Sequence, residues 1–211
     1  AERPVEKVLL IVISSDRGLA GAFNANVVKL TKSTIAEKYA DQAKNGNVTI
    51  WNIGKKAYEN LTKLNFKTDA TFKDICLQLS FEKVQEAAAA ARQAFLNKEF
   101  DAVEIIYSQF KNAATQRFVA ERYLPIPRAE KKEGSTQADF IFDPEKNTLV
   151  AELMPRILNT QLYKAVLDSN ASEHGARMTA MDKASENANE MLRSLKISYN
   201  RARQAAITTE L

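Results

Sequence analysis

The last 36 residues of this 211-residue chain, 176–211, contain neither Gly nor Pro, and their apolar residues step by three and four. Met178, Met181, Ser185, Ala188, Leu192, Leu195, Tyr199, Ala202 and Ala206 fall on one seam. That spacing is a coiled-coil register. At about 1.5 Å per residue it predicts a rod about 54 Å long, too long to lie on a small domain. The seam needs a partner helix, and no other segment is long enough to supply one. A long rod beside a compact domain suggests a scaffolding or mechanical part.

Upstream the pattern changes. Residues 8–14 (VLLIVIS) form a continuous β-branched apolar run, as in a central strand covered on both faces. Ser15-Asp16-Arg17-Gly18-Leu19-Ala20-Gly21 then reads as a turn leading into a helix over 22–39. Residues 48–53 predict a second strand and 55–64 a short helix, while 65–80 leave helix and strand open. Residues 81–97 predict a helix, 102–107 a third strand, and 115–124 a fourth paired to it through a Lys111-Asn112 turn. This alternation predicts an α/β fold, a mostly parallel sheet with crossover helices. The expected division is an α/β domain over 4–146 and a helical rod over 148–211. Within 4–146, a flexible linker and foot loop lie near 128–146. The helical pattern after 148 is expected to break near Ser169-Asn170, with Ser172 capping the rod.

Composition excludes several classes. No apolar run approaches the roughly 18 residues of a membrane span. Cys76 is the only cysteine, so no intrachain disulfide forms, and its apolar neighbours suggest a buried, inert thiol. A net charge of +4 with mixed-sign helix faces argues against nucleic acid. His174 is the only histidine and has no partners for a triad or a metal. Glu186/Glu190 and Asp139/Asp143 read as solvated charges. The glycine-bearing turn 16–21 is neither G-x-G-x-x-G nor a P-loop; it reads as a tight βα turn or a protein contact. Neither catalytic residues nor a cofactor or metal is expected. The end of the rod would instead present Arg201, Arg203, Gln204, Thr208 and Glu210 as a polar collar on a thin shaft, against the plain alternative of a solvated face.

Three stretches carry a resemblance. The turn 15–21 is similar to S-D-R-G-L-C-G, with Ala20 in place of the usual Cys. Residues 176–188 (ARMTAMDKASENA) are similar to A-R-x-x-A-M-x-x-A-x-x-N-A, and 199–211 (YNRARQAAITTEL) to Y-N-x-x-R-Q-A-x-I-T-x-E-L. Together they resemble the gamma subunit of the F-type ATP synthase, the central rotor shaft, across the whole chain. The resemblance implies a Rossmann-like domain beside an antiparallel coiled coil of N- and C-terminal helices. It implies a non-catalytic rotor that couples ion-driven rotation of the membrane ring to the catalytic sites. The partners it implies are the alpha/beta hexamer, the epsilon subunit and the c-ring. By motif match, Arg203, Gln204, Thr208 and Glu210 would grip a catalytic beta subunit, and Phe140, Phe142 and Asp143 would meet the c-ring or epsilon subunit. The chain opens without Met and stops mid-pattern, as a fragment lacking the N-terminal helix would, and its bare seam then predicts self-association. Ordinary composition favours the cytoplasmic face of a bacterial inner membrane over a mitochondrial matrix face. The rivals are a nucleotide-binding α/β protein with a coiled-coil oligomerisation helix, and a nucleic-acid-binding coiled-coil dimer.

Overall fold

The computed structural model describes residues 4–113, 115–127 and 146–209. Five strands form one sheet in the order β3-β2-β1-β4-β5. They are β1 (Val8–Ile13), β2 (Val48–Ile53), β3 (Thr68–Asp69), β4 (Ala102–Phe110) and β5 (Gln116–Leu124). β1 runs parallel to both β2 and β4, β3 is parallel to β2, and β5 is antiparallel to β4. The helices are α1 (Phe23–Lys38), α2 (Ala40–Lys44), α3 (Lys55–Lys63), α4 (Phe81–Leu96) and α5 (Lys146–Thr209). The expected mostly parallel α/β sheet with a long C-terminal helix is what forms.

The central strand explains its own composition. Val8, Leu10 and Val12 point into a core shared with Val27, Val28 and Ile35 of α1 and with Ala57 and Leu61 of α3. Leu9, Ile11 and Ile13 point the other way, into a core with Val84, Ala87, Ala88 and Ala91 of α4 and Leu158, Leu162, Ala165 and Val166 of α5. A strand with helices on both faces has no solvent side, so the alternation disappears. Ser80 caps α4 by accepting from Lys83 N–H, and the buried alanines let that helix lie close to the sheet. The open segment 65–80 holds the two-residue strand β3 and a 3-10 turn (Ile75–Gln78). An edge strand this short gives too little periodicity to read, and leaves little open edge.

The largest departure from expectation is in α5. It runs without a break through Ser169, Asn170, Ser172 and Gly175, so Ser172 caps nothing. Those residues are small and polar because the helix presses on β4 there. Ser169 and Ser172 are buried, and the Ser172 hydroxyl donates to the Ser108 carbonyl at 3.4 Å. What looks like a helix stop is a close-packing face. Pro155 also sits inside α5. Its missing N–H costs the carbonyl of Ala151 its usual donor, on an exposed turn of the helix. Past residue 180 the helix leaves the domain, and residues 181–209 are all exposed. At about 1.5 Å per residue those 29 residues extend about 43 Å.

Candidate functional site

The β1–α1 turn is the first place where sequence pointed to function. Ser15 fixes its start: the hydroxyl donates to the Arg17 carbonyl at 2.6 Å, and the Ser15 N–H donates to Asn24 Oδ1 at 3.2 Å. Asp16 turns outward to accept the Lys55 N–H at 3.1 Å, at the start of α3. Burial raises the Asp16 carboxyl above its ordinary range, opposed by that hydrogen bond and the Lys55 charge. Gly21 takes φ +56°, a left-handed conformation that favours glycine.

In nucleotide-binding α/β proteins, a phosphate sits over such a turn at the helix N-terminus. Here α5 fills that space. A Cβ placed on Gly21 would lie 3.7 Å from Cβ of Ala180 and 4.0 Å from the Ala176 carbonyl. The carbonyl of Gly18 accepts from Arg177 Nη2 at 3.4 Å. The nucleotide-binding rival is therefore not favoured, and the turn is a contact within the chain. A cleft of about 290 Å³ remains beside it, lined by Asp16, Arg17, Cys76, Asn170, His174 and Arg177 among others. Its chemistry is unpromising. Burial first, then the charges of Asp16 and Glu173, push the Cys76 thiol up to about 12, so little thiolate exists near neutrality. His174 is exposed. Among the described residues, no three His, Cys, Asp or Glu side chains come together to hold a metal.

The rod is the second place. Met178, Met181, Leu192, Leu195 and Tyr199 of the seam are between 41% and 68% exposed, so no described helix covers them. Apolar side chains also lie off the seam. Ile197, 47% exposed, sits two residues from Tyr199 and thus about 160° around the helix from it. Met191 and Ile207 are likewise open. A helix that is apolar on several sides normally ends up enclosed. At the tip, Arg203, Gln204 and Thr208 are exposed. The Thr208 hydroxyl donates to its own helix, at the Gln204 carbonyl 2.8 Å away, which leaves its lone pairs facing outward. Gln204 and Thr208 are one turn apart, on one face. Glu210, the fourth residue of the expected grip, lies outside the described residues, as do Phe140, Phe142 and Asp143 of the expected foot and the linker over 128–138.

Sequence reasoning missed how the helix is held where it leaves the domain. Glu173 and Arg177 pair at 2.7 Å across one helical turn, a spacing visible in the sequence. Gly175 lies so near Ala113 that a Cβ would stand 2.9 Å from its carbonyl oxygen and 3.0 Å from its Cα. A lone glycine within a helical pattern, close to the expected start of the rod, was the available signal.

Comparison with known proteins agrees along the whole chain. The sequence pattern of the ATP synthase family matches residues 1–211. The ATP synthase gamma chain of Cytophaga hutchinsonii is 47% identical over 213 residues, covering 100% of this chain and 72% of that protein. The gamma chain of Amoebophilus asiaticus is 45% identical, with the same coverage of each. Among solved structures, the rotor of the Euglena gracilis mitochondrial ATP synthase aligns with a TM-score of 0.66 at 21% identity, over 96% of this chain and 75% of that one. The central stalk and c-ring of the Tetrahymena thermophila mitochondrial enzyme gives 0.61 at 23% identity, over 88% and 79%. At these identities the structures speak for the fold.

Proposed function

The chain belongs to the ATP synthase gamma-chain family, the non-catalytic central-stalk subunit of the rotary enzyme, and from that premise we propose how its parts divide the work. The distal part of the rod over 181–209 enters the alpha/beta hexamer, and the α/β domain stays outside, toward the membrane ring. The single observation that carries this reading is the long stretch of exposed helix with apolar side chains on more than one side. One face suits a partner helix, which the resemblance supplies as the N-terminal half of an antiparallel coiled coil. The others suit an enclosing protein sleeve. Such a shaft is asymmetric, so each catalytic beta subunit meets a different face. Differential contacts then favour a different nucleotide-site conformation in each, and rotation permutes them.

Arg203, Gln204, Thr208 and Glu210 are assigned to gripping a loop of one beta subunit. Arg and Glu provide charge-assisted bonds and Thr208 an acceptor. Phe140, Phe142 and Asp143 are assigned to contact with the c-ring or the epsilon subunit. The gamma chain is a peripheral subunit, and among the described residues no helix is long and apolar enough to cross a membrane. The bacterial sources of the similar gamma chains support the cytoplasmic face of an inner membrane.

The decisive experiment is ATP hydrolysis by an alpha/beta hexamer assembled with this chain, with rotation of the stalk followed by microscopy. Directional, ATP-dependent rotation is expected; a chain that neither joins the hexamer nor turns refutes the reading. In the same assembly, Gln204→Ala and Thr208→Ala should lower coupled ATP synthesis several-fold, about 1 kcal/mol for each lost hydrogen bond, while leaving helicity unchanged. Full coupling in both variants would remove the grip assignment.

A further inference from the structure

We propose that α5 is held against rolling by a two-sided clamp at residues 172–180, and that torque passes between the rod and the α/β domain through it. The proposal rests on the rotor reading above. Beyond residue 180 every described residue of the rod is exposed, so its rotation relative to the domain is resisted chiefly by contacts up to that point, which begin with the core packing of Leu158, Leu162, Ala165 and Val166. The last of those contacts converge from two directions.

One side is the β1–α1 turn. Arg177 Nη2 donates to the Gly18 carbonyl at 3.4 Å while bound to Glu173 at 2.7 Å. The left-handed Gly21 brings the same turn against Ala176 and Ala180. The other side is β4 and its connection to β5. Ser172 donates to the Ser108 carbonyl at 3.4 Å, and the Thr179 hydroxyl, which donates to the Gly175 carbonyl of its own helix at 3.1 Å, also lies 3.4 Å from the Ala113 carbonyl. Gly175 lets the two backbones approach between them, closer than any side chain would permit.

These contacts fall on two stripes of the helix. Residues 172, 175 and 179 form one line and 176, 177 and 180 another, about a third of a turn apart at 3.6 residues per turn. A helix gripped along one line can roll on its neighbour; gripped along two, it cannot. Both stripes also bear on backbone or on short side chains, which have little freedom to give. The signature turn thereby acquires a role that neither nucleotide binding nor thiol chemistry supplies. Arg177 and Gly175 are positioning residues: they fix the rod and touch no reacting atom.

The test uses the assembled rotary complex with the hexamer immobilised. A load is attached either to the α/β domain or to the rod at Lys183, just past the clamp. The parent chain should turn both loads; if it turns neither, the rotor reading fails and the clamp with it. In Arg177→Ala/Thr179→Ala, torque delivered to the domain-borne load should fall at least about twofold, because Arg177 makes the one charge-assisted contact of the set to the domain, at the Gly18 carbonyl. The Lys183-borne load should turn as in the parent. Arg177→Gln, which keeps most of the volume, should show the same split more weakly and serves if the double variant assembles poorly. Adding Gly21→Cys/Ala180→Cys in a Cys76→Ser background should restore the torque when oxidised and not when reduced. The 3.7 Å separation of those Cβ positions is within disulfide reach; the left-handed backbone at Gly21 strains the cysteine there, and the reduced form of the same variant is the control for that strain. Equal torque on both loads in the weakened variants, or an equal loss on both, overturns the proposal. A merely structural role predicts the equal loss.

Discussion

Gly175→Ala sets two effects of opposite sign against each other at one atom. Within a helix, Ala is favoured over Gly by about 1 kcal/mol, because Gly loses more backbone freedom on folding. Position 175 lies well inside α5, so that gain applies in full. Against it stands the new methyl. It would sit 2.9 Å from the carbonyl oxygen of Ala113, 3.0 Å from its Cα and 3.3 Å from its carbonyl carbon. All three are backbone atoms, so no side-chain rotation relieves the contact. Either α5 lifts off β4, breaking the Ser172 and Thr179 hydrogen bonds, or the strand connection shifts. Overpacking of this kind costs typically 1–3 kcal/mol. The net expectation is a loss of about 1 kcal/mol, and of about 2–3 kcal/mol for Gly175→Val, whose branched side chain adds volume at the same point. The assay is urea unfolding followed by the fluorescence of Trp51, the only tryptophan. Its ring packs on Phe72 at 5.2 Å and Phe100 at 6.3 Å, so it reports on the sheet and not on the bare rod. An alanine variant more stable than the parent by about 1 kcal/mol would mean that helix propensity alone governs the site. The close approach, and with it one side of the clamp, would then be wrong.

Glu104 is buried in mid-strand, paired with Lys38 at 3.3 Å and accepting from the Tyr39 hydroxyl at 2.7 Å; Arg122 stands opposite it on β5. Glu104→Ala should destabilise the domain by roughly 3 kcal/mol, since it strands the buried Tyr39 hydroxyl and removes the carboxylate that Lys38 pairs with; a loss under about 1 kcal/mol in urea unfolding would show the cluster to be solvated. Alkaline stability should fall earlier than arginine or lysine titration would bring about. Burial raises the Cys76 thiol and the Tyr107 phenol each to about 12 from ordinary values of 9.0 and 10.0, and raises Tyr39 and Tyr123 as well. Below pH 9 these groups are protonated in both states and their contribution is complete. As pH climbs from there toward 12, the unfolded chain releases protons that the folded one retains, so stability declines. The urea midpoint should drop between about pH 9 and 12, with Cys76→Ser removing the earliest part of the decline; a flat midpoint would refute the burial of these groups.

Much of the domain was legible because its elements state their own environment. The run over 8–13 has no polar position, which only a strand covered on both faces tolerates. The alanines of α4 mark a helix lying close to its neighbour. The seam over 178–206 follows a heptad whether or not a partner is present, and it is bare among the described residues. The polar tip was legible as a pattern, and its match to a known motif made it a site. What periodicity could not supply is which small residue is a stop and which is a contact. Ser169, Ser172 and Gly175 carry the composition of a helix break, and the same composition suits a helix pressed against a strand. Glu104 was equally opaque: AVEIIY reads as a strand, but the identities of Lys38, Tyr39 and Arg122 as its partners come from α1 and β5.

The amino-acid sequence by itself determined a doubly covered sheet, a rod that needs partners, and the family to which both belong, because these reside in local composition and in motifs. Only the tertiary structure decided the meaning of the signature turn. Gly18 and Arg177 are 159 residues apart, as are Gly21 and Ala180. Their meeting depends on where β1 and α5 are placed by two separate cores, a relation that no local spacing encodes.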